Sequence, residues 1–164
     1  MFPSLLLSLA RVVLTEARQK QLRLATAESC TGGLIAGLLT EIPGSSDVLD
    51  RGFVVYSNRA KSDLLGVPGD LIADQGAVSE AVARAMAEGA VENSNAHMAV
   101  AVTGVAGPGG GTKFKPVGLV HIAAARERRS ILHEAHRLGD IGRSEIRLKS
   151  VEAALLLLQR IMSG

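Results

Sequence analysis

The chain has 164 residues, 47% hydrophobic and 21% charged, which suits one domain with a sizeable core. Its aromatic fraction is 2% with no Trp, so the core is aliphatic and the stacking platforms used on single-stranded nucleic acid are missing. The net charge of +2 comes without a run of Lys and Arg and so selects no anionic partner, while the single Cys30 excludes an internal disulfide and a cysteine-built zinc site.

The opening MFPSLLLSLARVV has the apolar run of a signal peptide but no basic segment before it, and it continues into LTEARQKQLR as one amphipathic helix. QLRLATA (21–27) alternates as a strand, and residues 31–42 read as a helix closed by Pro43-Gly44. GFVVYS (52–57) is a short strand, NRAKSDLL (58–65) a helix stopped by Gly66, and GAVSEAVARAMAEGAVEN (76–93) a helix with Ser79 as its N-cap. AHMAVAVT (96–103) and VGLVHIAAA (117–125) are strands in direct succession, residues 130–138 a further strand, and residues 143–162 a final helix. Strands separated by helices predict a layered α/β sandwich, and the two successive strands predict a mixed sheet. There is no internal repeat and no linker, so residues 1–164 form one domain. No segment has the length of a membrane span, and a cytoplasmic location is the default for a chain with one thiol. Small residues in AVARAMAEGA (81–90) would permit close helix packing in a homo-oligomer.

The loop TGVAGPGGGTKFKP (103–116) invites a phosphate-loop reading that fails on inspection. Gly110 stands where the lysine of that motif belongs, and a strand follows instead of a helix. The dinucleotide fingerprint fails for the same reason. What remains is a glycine segment at a strand end, either a plain connection or a ligand-contacting loop.

AESCTGG (27–33) places an acid, a hydroxyl, the thiol and two glycines where a strand hands over to a helix. A nucleophile there has unpaired helix-start amides near Thr31, Gly32 and Gly33 to hold an oxyanion. Against this, Ser29 or Thr31 serves equally as a helix cap, with Cys30 as a small buried hydrophobe. A serine needs a base, and none of His97, His121, His133 and His136 sits in a motif with an acid. Of the five lysines, Lys61 stands just past the strand-ending Tyr56 and Ser57, where partial desolvation would lower its basicity enough for general-base work. The competing reading is a solvated helix-surface lysine.

Taken together, AESCTGG (27–33), YSNRAKSDLLGV (56–67), GAVSEAVARAMAEGA (76–90), VTGVAGPGGGTKFKPVGLVHIA (102–123) and IRLKSVEAALLLL (146–158) resemble the CinA C-terminal domain family of nicotinamide mononucleotide deamidases. The resemblance implies a three-layer α/β/α sandwich with a mixed sheet of about five strands. It implies hydrolysis of the nicotinamide carboxamide to nicotinate with release of ammonia, with a small-molecule mononucleotide as partner and no cofactor, metal, nucleic acid or membrane. It makes Ser29 the nucleophile, Lys61 its base and Tyr56 a relay or orienting hydroxyl, with Thr103 and Gly104 lining the ligand site. Glu28 would orient Lys61 or a ribose hydroxyl. Family members commonly read Gly-Asp-Arg ahead of the final helix, whereas here Ile141-Gly142 stand between Asp140 and Arg143. Arg143 keeps its spacing to Ile146-Arg147 and is assigned to the substrate phosphate, with Arg147 as the alternative. Some family proteins carry a separate N-terminal domain. With the first helix at the start of the chain, the resemblance is to the stand-alone form. A Cys30 thiol amidase and a non-catalytic nucleotide-binding module linked to competence or DNA damage are the competing functions.

Overall fold

A computed structural model describes residues 1–163. The elements run α1 (Ser4–Gln19), β1 (Leu24–Glu28), α2 (Leu34–Glu41), a single 3-10 turn (Ser45–Asp47), β2 (Leu49–Val54), α3 (Asn58–Leu65), α4 (Gly69–Gln75), α5 (Glu80–Glu92), β3 (Met98–Gly104), β4 (Leu119–Arg126), β5 (Leu132–Arg137) and α6 (Arg143–Met162). The five strands form one sheet in the order β2-β1-β3-β4-β5. β2, β1 and β3 are parallel, while β4 and β5 are added antiparallel, which gives the mixed sheet the sequence predicts.

Strand alternation sends successive side chains to opposite faces, and each face is covered by helices. Leu24, Met98, Val100, Val102, Val120 and Ile122 face α1, α2 and α6 and build a core of large aliphatic groups. Ala25, Ala27, Ala99, Ala101, Ala123 and Ala125 face α3, α4 and α5. This alanine face lets α5 lie close, and Gly89 brings it against α3: a Cβ there would stand 2.0 Å from the Leu65 carbonyl oxygen. The edge strands β2 and β5 carry charged residues such as Asp50, Arg51, Glu134 and Arg137, which discourage pairing with other chains.

Several elements differ from the sequence reading, β1 among them at 24–28 rather than 21–27. α2 begins at Leu34 rather than Thr31, because Gly32 and Gly33 take φ of +58° and +103° and hold the chain in a turn first. β2 lies at 49–54 rather than 52–57, with Ser57 freed to cap α3. The short α4, between Pro68 and Gly76, has no counterpart in the sequence reading. Ser79 caps α5 as expected, its side chain accepting from the Val82 amide. Ala83, Ala87, Gly89 and Ala90 of the small-residue run are buried in this chain's own core, so they offer no surface to a second copy.

Candidate active site

The carboxyl ends of the parallel strands open on one edge of the sheet, where ligand crevices of α/β sheets form. β1 is buried along its whole length and delivers Ser29 there. The Ser29 amide donates to the Val102 carbonyl (3.0 Å), which prolongs the ladder to β3. The Gly32 amide closes a turn onto the Ser29 carbonyl at 3.0 Å. On the other side, β2 ends at Val54, and Ser57 starts α3 by accepting from the Ala60 amide at 3.0 Å. That start puts Lys61 one turn into α3, aimed back at the strand ends.

Lys61 is 1% exposed. Its Nζ lies 3.1 Å from Ser29 Oγ, 3.0 Å from the Val55 carbonyl and 3.3 Å from the Tyr56 carbonyl. Carbonyls only accept. In a neutral amine the two N–H bonds therefore serve Val55 and Tyr56, and the lone pair is left for the Ser29 hydroxyl proton. Burial favours that neutral form, pushing the Lys61 pKa below its ordinary value of 10.5. The arrangement can accept a proton from serine as its oxygen attacks an electrophile.

A cavity of about 230 Å³ opens over this pair. Ser29, Cys30 and Lys61 form its floor, Thr103, Gly104 and Ala106 one wall, and Tyr56, Asn58 and Arg143 its mouth. Ala77 and Val78 complete it. Thr103 is 1% exposed and donates its hydroxyl to the Ala77 carbonyl at 2.9 Å, which ties β3 to the segment before α5. Arg143 donates to the Gly107 carbonyl (2.6 Å) and to the Tyr56 hydroxyl (3.2 Å). Neither Asp nor Glu lines the cavity, so its field favours an anionic ligand.

The sequence-predicted residues divide into two groups. Ser29, Lys61, Tyr56, Thr103, Gly104 and Arg143 come together at the cavity. Glu28, Thr31, Gly32 and Gly33 do not line it, and each has a local reason. The Glu28 carboxylate is fully buried and accepts from the Thr31 hydroxyl (2.7 Å) and from the Ile35 and Ala36 amides (2.8 and 3.1 Å). It fastens the start of α2 and makes no hydrogen bond to Lys61. Thr31 spends its hydroxyl on that carboxylate, Gly32 spends its amide on the turn, and Gly33 is the N-cap of α2. The Tyr56 hydroxyl meets Arg143 rather than the Ser–Lys pair, so no relay is needed between groups already 3.1 Å apart.

Asn58, Ala77, Val78 and Ala106 are cavity residues the sequence reading missed. Asn58 had a signal, since it stands three residues before Lys61 and shares its helix face. The other three are small groups with none. No histidine lines the cavity. His121 Nδ1 and His133 Nε2 instead pair at 2.9 Å, and burial lowers both pKa values. The Cys30 thiol is 5% exposed and burial raises its pKa to about 11, which leaves it protonated at neutral pH. Among the described residues, no three His, Cys, Asp or Glu side chains group as a metal site requires, and no helix is long and apolar enough to cross a membrane.

A mixed five-stranded α/β sandwich with a buried serine–lysine pair at the carboxyl end of its parallel strands defines the class. Within that class, the chain belongs to the CinA C-terminal domain family, whose model matches residues 6–162. A CinA-like protein of Synechococcus sp. is 54% identical over 153 residues, covering 93% of this chain and 36% of the relative. One from Akkermansia muciniphila is 56% identical over 118 residues, covering 72% and 28%. The chain thus spans about a third of the length of the curated relatives it matches. Among solved structures, the competence/damage inducible protein CihA from Agrobacterium tumefaciens superposes with a TM-score of 0.96 at 54% identity, with 98% of both chains covered. A CinA superfamily protein from Escherichia coli gives 0.90 at 31% identity, over 95% of this chain and 90% of that one.

Proposed function

We propose that the chain is an amidohydrolase that converts nicotinamide mononucleotide to nicotinate mononucleotide and ammonia, acting in pyridine nucleotide salvage. The observation that carries this reading is the lysine amine, withdrawn from water and 3.1 Å from Ser29 Oγ on the floor of an open cavity. Lys61 takes the Ser29 proton as Oγ bonds to the carboxamide carbon, and the carbonyl oxygen becomes an oxyanion. Collapse breaks the C–N bond, and the proton held by Lys61 leaves with the nitrogen as ammonia. Water then attacks the acyl ester and gives its proton to Lys61. That proton returns to Ser29 Oγ as the nicotinic acid group departs, and the acid then loses its remaining proton to water. Arg143 at the cavity mouth takes the ribose phosphate, and the absence of a lining carboxylate suits that charge.

Ammonia release from nicotinamide mononucleotide is measured with EDTA present, with Ser29→Ala alongside. The expected result is release by the wild type and none by the variant. Tight mononucleotide binding with no release by the wild type would replace the amidase with a binding module. Release that survives in Ser29→Ala and vanishes in Cys30→Ala would hand the reaction to the thiol.

A further inference from the structure

Arg147, one turn along α6 from Arg143, does not line the cavity. It reaches beneath it instead. Its Nε donates to the Cys30 carbonyl at 3.1 Å and its Nη2 to the Thr31 carbonyl at 3.4 Å. The preceding carbonyl, that of Ser29, is already held by the Gly32 amide at 3.0 Å. Three consecutive carbonyls of the nucleophile turn are therefore each held by a donor.

Planarity turns this into a statement about the amides. In a trans peptide the C=O of one residue and the N–H of the next point to opposite sides, and the cis bond of this chain lies elsewhere, at Gly107-Pro108. Holding the carbonyls of 29, 30 and 31 fixes the amides of Cys30, Thr31 and Gly32: the Gly32 turn sets the first, Arg147 the second, and for the third the guanidinium shares the Thr31 carbonyl with the Leu34 amide at 2.9 Å. The Gly32 amide closes the turn, whereas those of Cys30 and Thr31 donate to no backbone carbonyl among the described residues, and that of Cys30 bears on its own sulfur. Cys30 lines the cavity beside Ser29. Gly32 leaves the guanidinium its place, because a Cβ there would meet Arg147 Nη2 at 3.2 Å. The positive charge also acts at this corner: Arg147 favours the anionic form of the Cys30 sulfur, although burial outweighs it.

We propose that Arg147 is a positioning residue: by holding the Cys30 carbonyl from α6 it steadies the nucleophile turn, whose Cys30 amide, beside Ser29 at the cavity, meets the oxyanion formed when Ser29 attacks. The role presupposes the amidase reading, and it removes Arg147 as the alternative phosphate ligand.

The test compares Arg147→Met, Arg147→Lys and Arg143→Met on nicotinamide mononucleotide and on its riboside, which lacks the phosphate. Arg147→Met is expected to lower kcat by about 10–100-fold, somewhat less than deleting an oxyanion donor outright, with KM held and the same factor on both substrates. Arg147→Lys, which keeps the charge and loses the planar fork, is expected to recover part of kcat. Arg143→Met should raise KM for the mononucleotide alone. A loss in Arg147→Met that falls on KM and only for the phosphorylated substrate would overturn the inference, as would an unchanged kcat. If Arg147→Met fails to fold by circular dichroism, Arg147→Lys carries the test: a reduced kcat with KM held supports the inference and full activity overturns it. Fluorophosphonate labelling of Ser29, scored by intact mass, separates this inference from the substrate assignment. A wild type that labels but releases no ammonia sinks the substrate, and slower labelling in Arg147→Met still supports the clamp. Equal labelling rates overturn it, and a wild type that neither labels nor turns over removes both.

Discussion

Glu28 and Lys61 are both withdrawn from water, at 0% and 1% exposure, and their surroundings treat them in opposite ways. The region under α2 gives Glu28 a hydroxyl and two amides, all donors held by short local contacts. The region under α3 gives Lys61 two carbonyls and one hydroxyl, and only the hydroxyl can surrender a proton. Each group has one hydroxyl partner, Thr31 for Glu28 and Ser29 for Lys61, but Thr31 is sealed in the core whereas Ser29 lines the cavity. A buried ionisable group whose partners are closed off is architecture, and one whose hydroxyl partner meets an open cavity is poised for chemistry. Burial alone does not tell the two apart; access to the hydroxyl does.

The contrast breaks first, if it breaks, at Lys61→Met. Turnover is expected to fall by about 1,000-fold or more, the scale seen when one member of a serine–base unit is removed. Met removes a buried amine but also leaves the Val55 and Tyr56 carbonyls without that donor, so the two effects oppose and the melting temperature should change little. Retained ammonia release would end the base assignment. The pH dependence follows from the same shift. The neutral amine is the active form, so kcat/KM climbs with pH and levels off below 10.5, the ordinary lysine value. Between the lowered native value and 10.5 the unfolded chain binds a proton that the native chain does not, so this group's contribution to stability rises with pH across that window. In Lys61→Met that slope should disappear from denaturant titrations run at several pH values.

Glu28→Ala probes the other side of the comparison. Three buried donors lose their acceptor, which should cost about 3 kcal/mol or more in denaturant unfolding, whereas Glu28→Gln, which keeps one acceptor oxygen, should cost less. A stable Glu28→Ala with lost turnover would mean that Glu28 belongs with the chemistry after all. The smallest effects are expected where the site only touches its neighbours. Cys30→Ala should stay within about threefold of wild-type turnover, and Tyr56→Phe should lose about 0.5–1.5 kcal/mol of binding, seen in KM, through its one hydrogen bond to Arg143. A large kcat loss in Tyr56→Phe would revive a relay.

The layered fold was legible because its strands and helices carry strong periodicity. NRAKSDLL and residues 143–162 are read to the residue, since Gly66 and the long apolar run of the last helix mark their limits. The start of α2 was not, because the two glycines that look like its first residues take positive φ, and Gly32 closes a local turn on the Ser29 carbonyl. α4 has seven residues, too short for a hydrophobic period to stand out. At the site, Ser29 and Lys61 could be picked out by residue type at strand ends, though their pairing spans 32 positions and the residues alone left a solvated surface lysine as the competing reading until the resemblance favoured the pair. Glu28 was expected to orient Lys61 or a ribose hydroxyl, whereas its carboxylate meets the start of α2. An acid beside a serine suggests orientation of a base, and nothing in the letters says that the amides of Ile35 and Ala36 will arrive first.

The reversal between β3 and β4 has a consequence for how such a site can change. A parallel pair sends its connection away across a face of the sheet, but an antiparallel pair turns back at the edge it has just reached. β3 reaches the edge that holds the cavity, so the segment from 105 to 118 must leave from the cavity wall and return beside it. That segment bears no part of the Ser29–Lys61 pair and none of the sheet ladder beneath it. Ligand selectivity can therefore drift through substitutions or length changes in one surface loop while the reactive pair stays untouched, much as a tool keeps its handle when the bit is exchanged.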